Sequence, residues 1–382
     1  MPVKAEGFIA RKLRFKGRLA IVAISVSFFV MILSLAISGG FRAEIHQGIS
    51  DMSGDIQLTV EEEPLNIHPS CYEQMLNIPG VEKITPAIWK PGIVKGDGDI
   101  CGVMVKGTPM PDTCSLQAII PEQLGKMLAL KPGDRFTTYF VEDKVRARRF
   151  TVAGTYPGII DSNDALVVMV PLADMQRLCG WAEDQANALE VDLSDKYTSA
   201  AKSKLKADEL YLTSLTSHLE DEDILTPATA RRRYPHLFDS LDLIDFNVLA
   251  IIFLMTIVAG FNMISGLLIL LFRHISTIGT LKAMGMGNRS IAGVFLRVAA
   301  RIVLFGMIAG NAAALLFCFI QSSTHLIKLN PANYFISFVP VNLNPVLVLA
   351  VDAIAFGAIM LLLLIPTLFI SKVDPARTVR VR

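Results

Sequence analysis

The side chains able to do chemistry are scattered along this sequence rather than grouped. Its six histidines, His46, His68, His218, His236, His274 and His325, fall in no metal-ligand spacing, and neither HExxH nor CxxC occurs. A phosphate-cradling GxxxxGK[ST] loop and a GxSxG nucleophile elbow are also missing from the sequence. ATP hydrolysis and acyl transfer therefore have no local signature here. Cys71, Cys101, Cys114 and Cys179 could pair in three ways or remain free thiols, and the sequence leaves both open. More unusual are polar groups set in apolar runs. Asn311 could bridge two helices, and Asp352 could reach either a functional partner or water and headgroups. Gly306 and Gly310, four apart, would let two helices approach closely.

The elements that hold these groups are long and uncharged. Of 382 residues, 52% are hydrophobic and only 19% charged, and mean hydropathy is +0.48. Soluble domains carry about 25% charged residues. Disorder and collagen-like repeats are excluded, and a net charge of +1 argues against a nucleic-acid partner. No charge falls between Arg18 and Arg42, between Asp245 and Arg273, or between Arg301 and Lys328. A fourth run, from about Asn344 to Ser371, is broken only by Asp352. Each is long enough for a membrane span, which needs about 20 apolar residues. The first exceeds the roughly 7–15 apolar residues of a signal peptide, although Ala36-Ile37-Ser38 has a weak cleavage-site pattern.

Lys and Arg near the span ends give an orientation. Segments 1–18, 273–297 and 372–382 hold 14 basic and 2 acidic residues, whereas Phe41–Asp245 holds 20 basic and 32 acidic. Both termini and the 273–297 loop are therefore expected on the cytoplasmic side, and the large segment outside. The near-neutral total is the sum of two opposite charges. The fold class that follows is a polytopic α-helical membrane protein with four transmembrane helices and a large α+β extracytoplasmic domain inserted between helices 1 and 2. Its parts are a basic amphipathic cytoplasmic segment 1–18, spans 19–40, 246–272, 291–320 and 345–371, and the outer domain 41–245 with stalk helices. A cytoplasmic segment 273–290, an outer loop 321–344 and a tail 372–382 complete it.

Within the outer domain, alternating apolarity predicts strands at Asp55–Val60, Ile100–Lys106, Arg135–Val141 and Arg148–Thr155, with a buried strand at Ala165–Val170. Turns are expected at Pro79-Gly80, Pro91-Gly92, Gly96-Asp97-Gly98, Lys131 to Asp134 and Pro157-Gly158. Helices fit Ser70–Asn77, Glu122–Leu130, Leu172–Cys179 and Asp195–Leu215. Pro366 should kink the last span. Between the second and third spans, Ile275, Ile278, Leu281 and Met284 form one apolar stripe on a short helix that ends at Gly285 and Gly287. Such a stripe either packs on the chain's own helix ends or docks in the groove of a cytoplasmic partner.

These segments carry a resemblance. FIARKLRFKGR before the first span, SGGFRAEIHQGISDMSGDIQL after it, LKPGDRFTTYF, RRFTVAGTYPGIIDSNDALVVM, MISGLLILL, IGTLKAMGMGNRSI, YFISFVPV and KVDPARTVR occur in family order. Together they resemble the FtsX-like permeases of ABC transporters, MacB types included, and among them most the lipoprotein-releasing LolC/LolE type. Thr277 departs from the acidic residue many relatives carry, and Ala182–Arg233 matches less clearly.

The resemblance implies a permease subunit that is not itself an enzyme and binds no cofactor, with ATP and Mg held by a partner ATPase. It further implies a second permease subunit, same or paralogous, and a cytoplasmic ATPase dimer that pushes on Ile278, Thr280, Leu281, Lys282, Ala283, Met284, Gly285 and Met286. The substrate would be a lipoprotein taken from the outer leaflet of the bacterial inner membrane and passed to a periplasmic carrier. Phe28, Phe29, Met31, Phe253, Met255 and Met263 are then expected to wall an apolar cavity between the first two spans, or else to face lipid. A MacB-type efflux permease and an FtsX-type transmitter to a cell-wall hydrolase are the alternatives.

Overall fold

The structure, a computed structural model, describes residues 18–95, 100–111, 114–141, 145–156, 166–194, 196–217, 224–329 and 338–367. The basic segment 1–18 (all but its last residue), the tail 372–382 and the expected turns at Gly96-Asp97-Gly98 and Pro157-Gly158 lie outside these residues. The chain begins with α1 (Arg18–Ser53), β1 (Ile56–Thr59), β2 (Leu65–Asn66), α2 (Tyr72–Leu76), β3 (Val81–Lys95) and β4 (Ile100–Thr108). It continues through β5 (Gln117–Pro121), α3 (Glu122–Met127), β6 (Arg135–Val141), β7 (Val145–Tyr156), β8 (Val167–Pro171) and α4 (Leu172–Cys179). Then come β9 (Gln185–Ala186), β10 (Ala188–Leu193), α5 (Ala200–Ser217), β11 (Thr226–Thr229) and α6 (Ala230–Arg233). The last elements are α7 (Pro235–Arg273), α8 (Ile275–Ala283), α9 (Asn288–Thr324), α10 (Pro345–Leu362) and α11 (Leu364–Thr367).

Two compact units result, one of residues 1–42, 241–327 and 339–382, the other of 43–240 and 328–338. In the helical unit, four helices are long and apolar enough to cross a membrane: α1, α7, α9, and α10 with α11. Helix α1 has 36 residues and α7 has 39, or about 54 and 58 Å at 1.5 Å per residue, well beyond a hydrocarbon core of about 30 Å. Asn344 caps α10, its side chain accepting from the amides of Val346 and Leu347, with Pro345 in the first turn. The helix breaks at Leu363, three residues before Pro366, because a proline ring collides with the carbonyl four residues back.

The second unit is built on a nine-stranded sheet ordered β11-β1-β10-β3-β4-β8-β5-β7-β6, with β6 also pairing with β3. That last pairing closes β3, β4, β8, β5, β7 and β6 into a ring, and β10, β1 and β11 form an arm leaving β3. Val94, Val103, Val105, Phe136, Phe140, Phe150 and Val168 are buried in the core of this unit, at alternate positions as the period of a strand requires. The pairs β4–β8 and β5–β7 are parallel and the others antiparallel, which fits α+β rather than a βαβ array.

Pro91-Gly92 is not a turn. It lies inside the 15-residue strand β3, paired with Met104 and Val103 of β4. Gly92 is there for space, since a Cβ would stand 2.8 Å from Thr138 Cγ2 of β6. The Pro79-Gly80 and Lys131–Asp134 turns do form, with φ of +100° at Gly80 and +96° at Gly133. No disulfide is assigned among the five cysteines, and Cys71, Cys101 and Cys318 are buried.

Candidate functional site

The short helix α8 ends in a Schellman arrangement. Gly285 takes φ +87°, its amide donates to Lys282 O at 2.9 Å, and the Met286 amide donates to Leu281 O at 3.0 Å. Ile278 is 1% exposed and joins a cluster with Leu270, Leu271, Ile291 and Val294, against which Leu281 and Met286 also pack. The apolar stripe is therefore split. Its Ile278 and Leu281 side seats the helix on the chain's own spans, while Thr277, Thr280, Ala283, Met284 and Gly285 are exposed and Lys282 is half-buried. Met284 is 78% exposed. A partner can therefore reach the Thr280–Met284 face but not Ile278, which the stripe alone did not distinguish.

The six residues expected around an apolar cavity do not form one surface. Phe28, Met31 and Met263 are fully buried within the bundle, and Met255 packs at its margin. Phe29 meets Phe317 edge-on at 6.2 Å between ring centroids, and Phe253 is 69% exposed. Thr256 Oγ1 lies 3.6 Å from Met31 Sδ, joining α7 to α1. Gly306 and Gly310 receive α1 closely. A Cβ at 306 would be 2.6 Å from Ile24 Cγ2, and one at 310 would be 2.9 Å from Phe28 Cβ and 3.1 Å from the Phe29 amide nitrogen.

A polar clasp at one end of this bundle has no sequence motif to announce it. Arg42 of α1 ion-pairs with Asp245 and, at 3.2 Å, with Asp242 of α7, and Ser38 donates to Asp245. Nearby, the Asn342 amide donates to Ala36 O at 3.0 Å, and Gly40 lies directly beneath Pro340 O, leaving no room for a side chain.

In the second unit the end of α1 is held by buried charge. Lys106 Nζ of β4 donates to Met52 O and to Glu190 Oε2 of β10, each at 2.7 Å. Glu190 Oε1 accepts from Trp89 Nε1 at 2.9 Å. Arg233 donates to Ser53 O at 2.8 Å and Gly54 O at 2.6 Å, so two cations meet the orphan carbonyls and negative dipole at a helix C-terminus. Asp55, 2% exposed, accepts from the Leu193 amide at 2.8 Å. Burial pulls the Arg233 pKa below its ordinary value against the opposing pull of Tyr234, Glu190 and Asp55. Burial, then Asp55 and Glu190, push Asp192 above its ordinary value, against Lys83 and Lys106. Arg233 also lies immediately ahead of α7, so the residues that fix the end of one long helix adjoin the start of the other. Among the described residues no group of three or more His, Cys, Asp or Glu is placed to hold a metal ion.

The model of the FtsX-like permease C-terminal family matches residues 249–375, and that of the MacB-like periplasmic core domain matches 19–208. The lipoprotein-releasing system transmembrane protein LolC of Xylella fastidiosa (strain Temecula1) is 21% identical over 99% of this chain and 95% of its own. LolC of Neisseria meningitidis serogroup B is 21% identical over 99% and 96%, and LolE of Haemophilus influenzae 21% over 94% and 93%. Among solved structures, the periplasmic region of MacB from Actinobacillus actinomycetemcomitans aligns with 48% of this chain and 91% of that one, at 13% identity and a TM-score of 0.31. The extracellular domain of YknZ from Gram-positive bacteria aligns with 46% and 99%, at 11% identity and a TM-score of 0.31.

Proposed function

The chain belongs to the FtsX/MacB-type permease family of ABC transporters, and from that premise we propose that it couples ATP hydrolysis on a separate cytoplasmic ATPase to the release of lipoproteins from the bacterial inner membrane. The observation that carries the lipoprotein reading is the end-to-end similarity to proteins named for lipoprotein release, which spans both units rather than the membrane half alone. In this reading both termini and α8 are cytoplasmic and residues 43–240 are periplasmic. Two permease subunits work with an ATPase dimer that bears on the Thr280–Met284 face of α8. Ile278 and Leu281 pass that push into the bundle because they are packed in it. Helices α1 and α7 transmit it outward, and the Lys106 and Arg233 contacts keep the end of α1 from slipping against the sheet.

The energetics of the cargo suit an ATP-driven machine. Each buried acyl CH₂ contributes about 0.8 kcal/mol, so one chain anchors marginally and three are held irreversibly without energy input. A periplasmic carrier then receives the released lipoprotein. The test is depletion of the protein in its own cells, followed by fractionation of mature lipoproteins. Accumulation in the inner membrane is expected. Normal sorting together with raised drug susceptibility would replace this reading with efflux of the MacB kind.

A further inference from the structure

Asp352 of α10 and Asn311 of α9 face each other inside the helical unit. Asn311 Nδ2 donates to Asp352 Oδ2 at 2.6 Å, and Asp352 is only 6% exposed. The other oxygen of each side chain, Asp352 Oδ1 and Asn311 Oδ1, is buried without a hydrogen-bond partner. Both are acceptors when the carboxyl is ionised, so the contact lacks a donor. A buried polar atom left unpaired costs about 1–3 kcal/mol, more when charged, and an apolar span makes the loss worse. Among the described residues no other charged group supplies what is missing. Helix α10 carries no second ionisable residue, and the nearest charged position on α9 is Arg301, ten residues before Asn311 and about 15 Å along the axis. Helices α1 and α7 are uncharged from Leu19 to Phe41 and from Phe246 to Phe272.

A proton supplies the missing donor. We propose that Asp352 is a proton-binding site, held as the neutral acid and donating from Oδ1 to Asn311 Oδ1, so that acid and amide close a ring of two hydrogen bonds between the third and fourth spans. The proton comes from water and returns to it when the site empties. The contact between α9 and α10 then depends on one proton, and raising the pH should weaken it as the carboxyl ionises beside an amide oxygen it repels.

The test uses the full-length protein in lipid nanodiscs. Wild type should show a carboxylic-acid C=O infrared band at neutral pH that is lost in D352N. Its thermal unfolding midpoint should fall at alkaline pH while that of D352N stays level, because an amide–amide pair keeps both hydrogen bonds without a proton. D352A should lose the wild-type midpoint at every pH; if it does not fold, the D352N band and pH profile carry the test alone. The proposal is overturned by a wild type that shows only carboxylate bands at neutral pH. It is equally overturned by a D352N chain as unstable as D352A, or by stabilisation with sodium chloride but not choline chloride that D352N abolishes, which would assign the site to a cation.

Discussion

Replacing Lys106 with Met keeps the length of the side chain and removes its charge. Lys106 and Glu190 are 7% and 6% exposed at the side chain and 2.7 Å apart. After K106M, Glu190 keeps the Trp89 indole N–H and the more distant attraction of Arg233 but loses its ion-pair partner, and Met52 O loses the Lys106 donor. Removing one partner of a buried pair costs about 3–5 kcal/mol, because the other charge stays buried and uncompensated. In a unit of about 200 residues each kcal/mol shifts the midpoint by about 2–4 °C, so a fall of about 6–20 °C is expected. The chain has two tryptophans, Trp89 and Trp181, both within residues 43–240. Their emission therefore follows unfolding of this unit without interference from the spans. E190Q added to K106M removes the orphaned charge while its amide oxygen still accepts from Trp89, and should bring stability back to within about 1 kcal/mol of wild type. A cost below about 1 kcal/mol for K106M, or no recovery in the double variant, would refute the claim that buried charge clamps the end of α1.

M284D should leave the unfolding midpoint within about 0.5 kcal/mol of wild type, since Met284 is 78% exposed, yet lower ATP-driven lipoprotein release from proteoliposomes tenfold or more. I278D should instead unfold the helical unit, as judged by detergent-solubilised melting. G310L should cost about 3 kcal/mol or more, because the Phe29 backbone nitrogen, 3.1 Å from where a Cβ would stand, cannot step aside; a melt unchanged from wild type would show that α1 does not pack there. Asp192 has a native pKa raised above 3.8, so its ionisation drains stability as pH rises through that window. D192N should therefore stabilise at neutral pH, with the gain vanishing below 3.8, in denaturant melts followed by tryptophan emission. With Cys114 and Cys179 changed to Ser, a cysteine at Gly287 should react with an impermeant maleimide only from the cytoplasm, and one at Lys126 only from outside.

The four long helices were legible because a span needs only length and the absence of charge. Strand β6 was legible because Arg135–Val141 alternates cleanly. Strand β3 was not, because Pro91-Gly92 reads locally as a turn; only the close approach of Thr138 from β6 explains the glycine. Closure of the ring was equally hidden, since it depends on Ile93, Val94 and Lys95 meeting Tyr139, Thr138 and Thr137, a pairing about 45 residues apart that no local pattern encodes. For the candidate site, the position of α8 was readable from its stripe and glycines. Which side of it faces out was not, because Ile278 and Met284 are both apolar and only packing tells them apart. The Arg42 clasp and the Lys106 node escaped because each joins single charges from distant segments.

Ring closure also bears on aggregation. A sheet closed on itself presents no row of unpaired amides and carbonyls, so a neighbouring chain cannot add a strand to it. The arm ends in β11, which is four residues long and contains Pro227, and a short edge strand with a proline is a poor template for further pairing. Among the described strands of the large sheet, the closed part therefore offers a neighbouring copy no edge to extend, and the arm offers only the short β11.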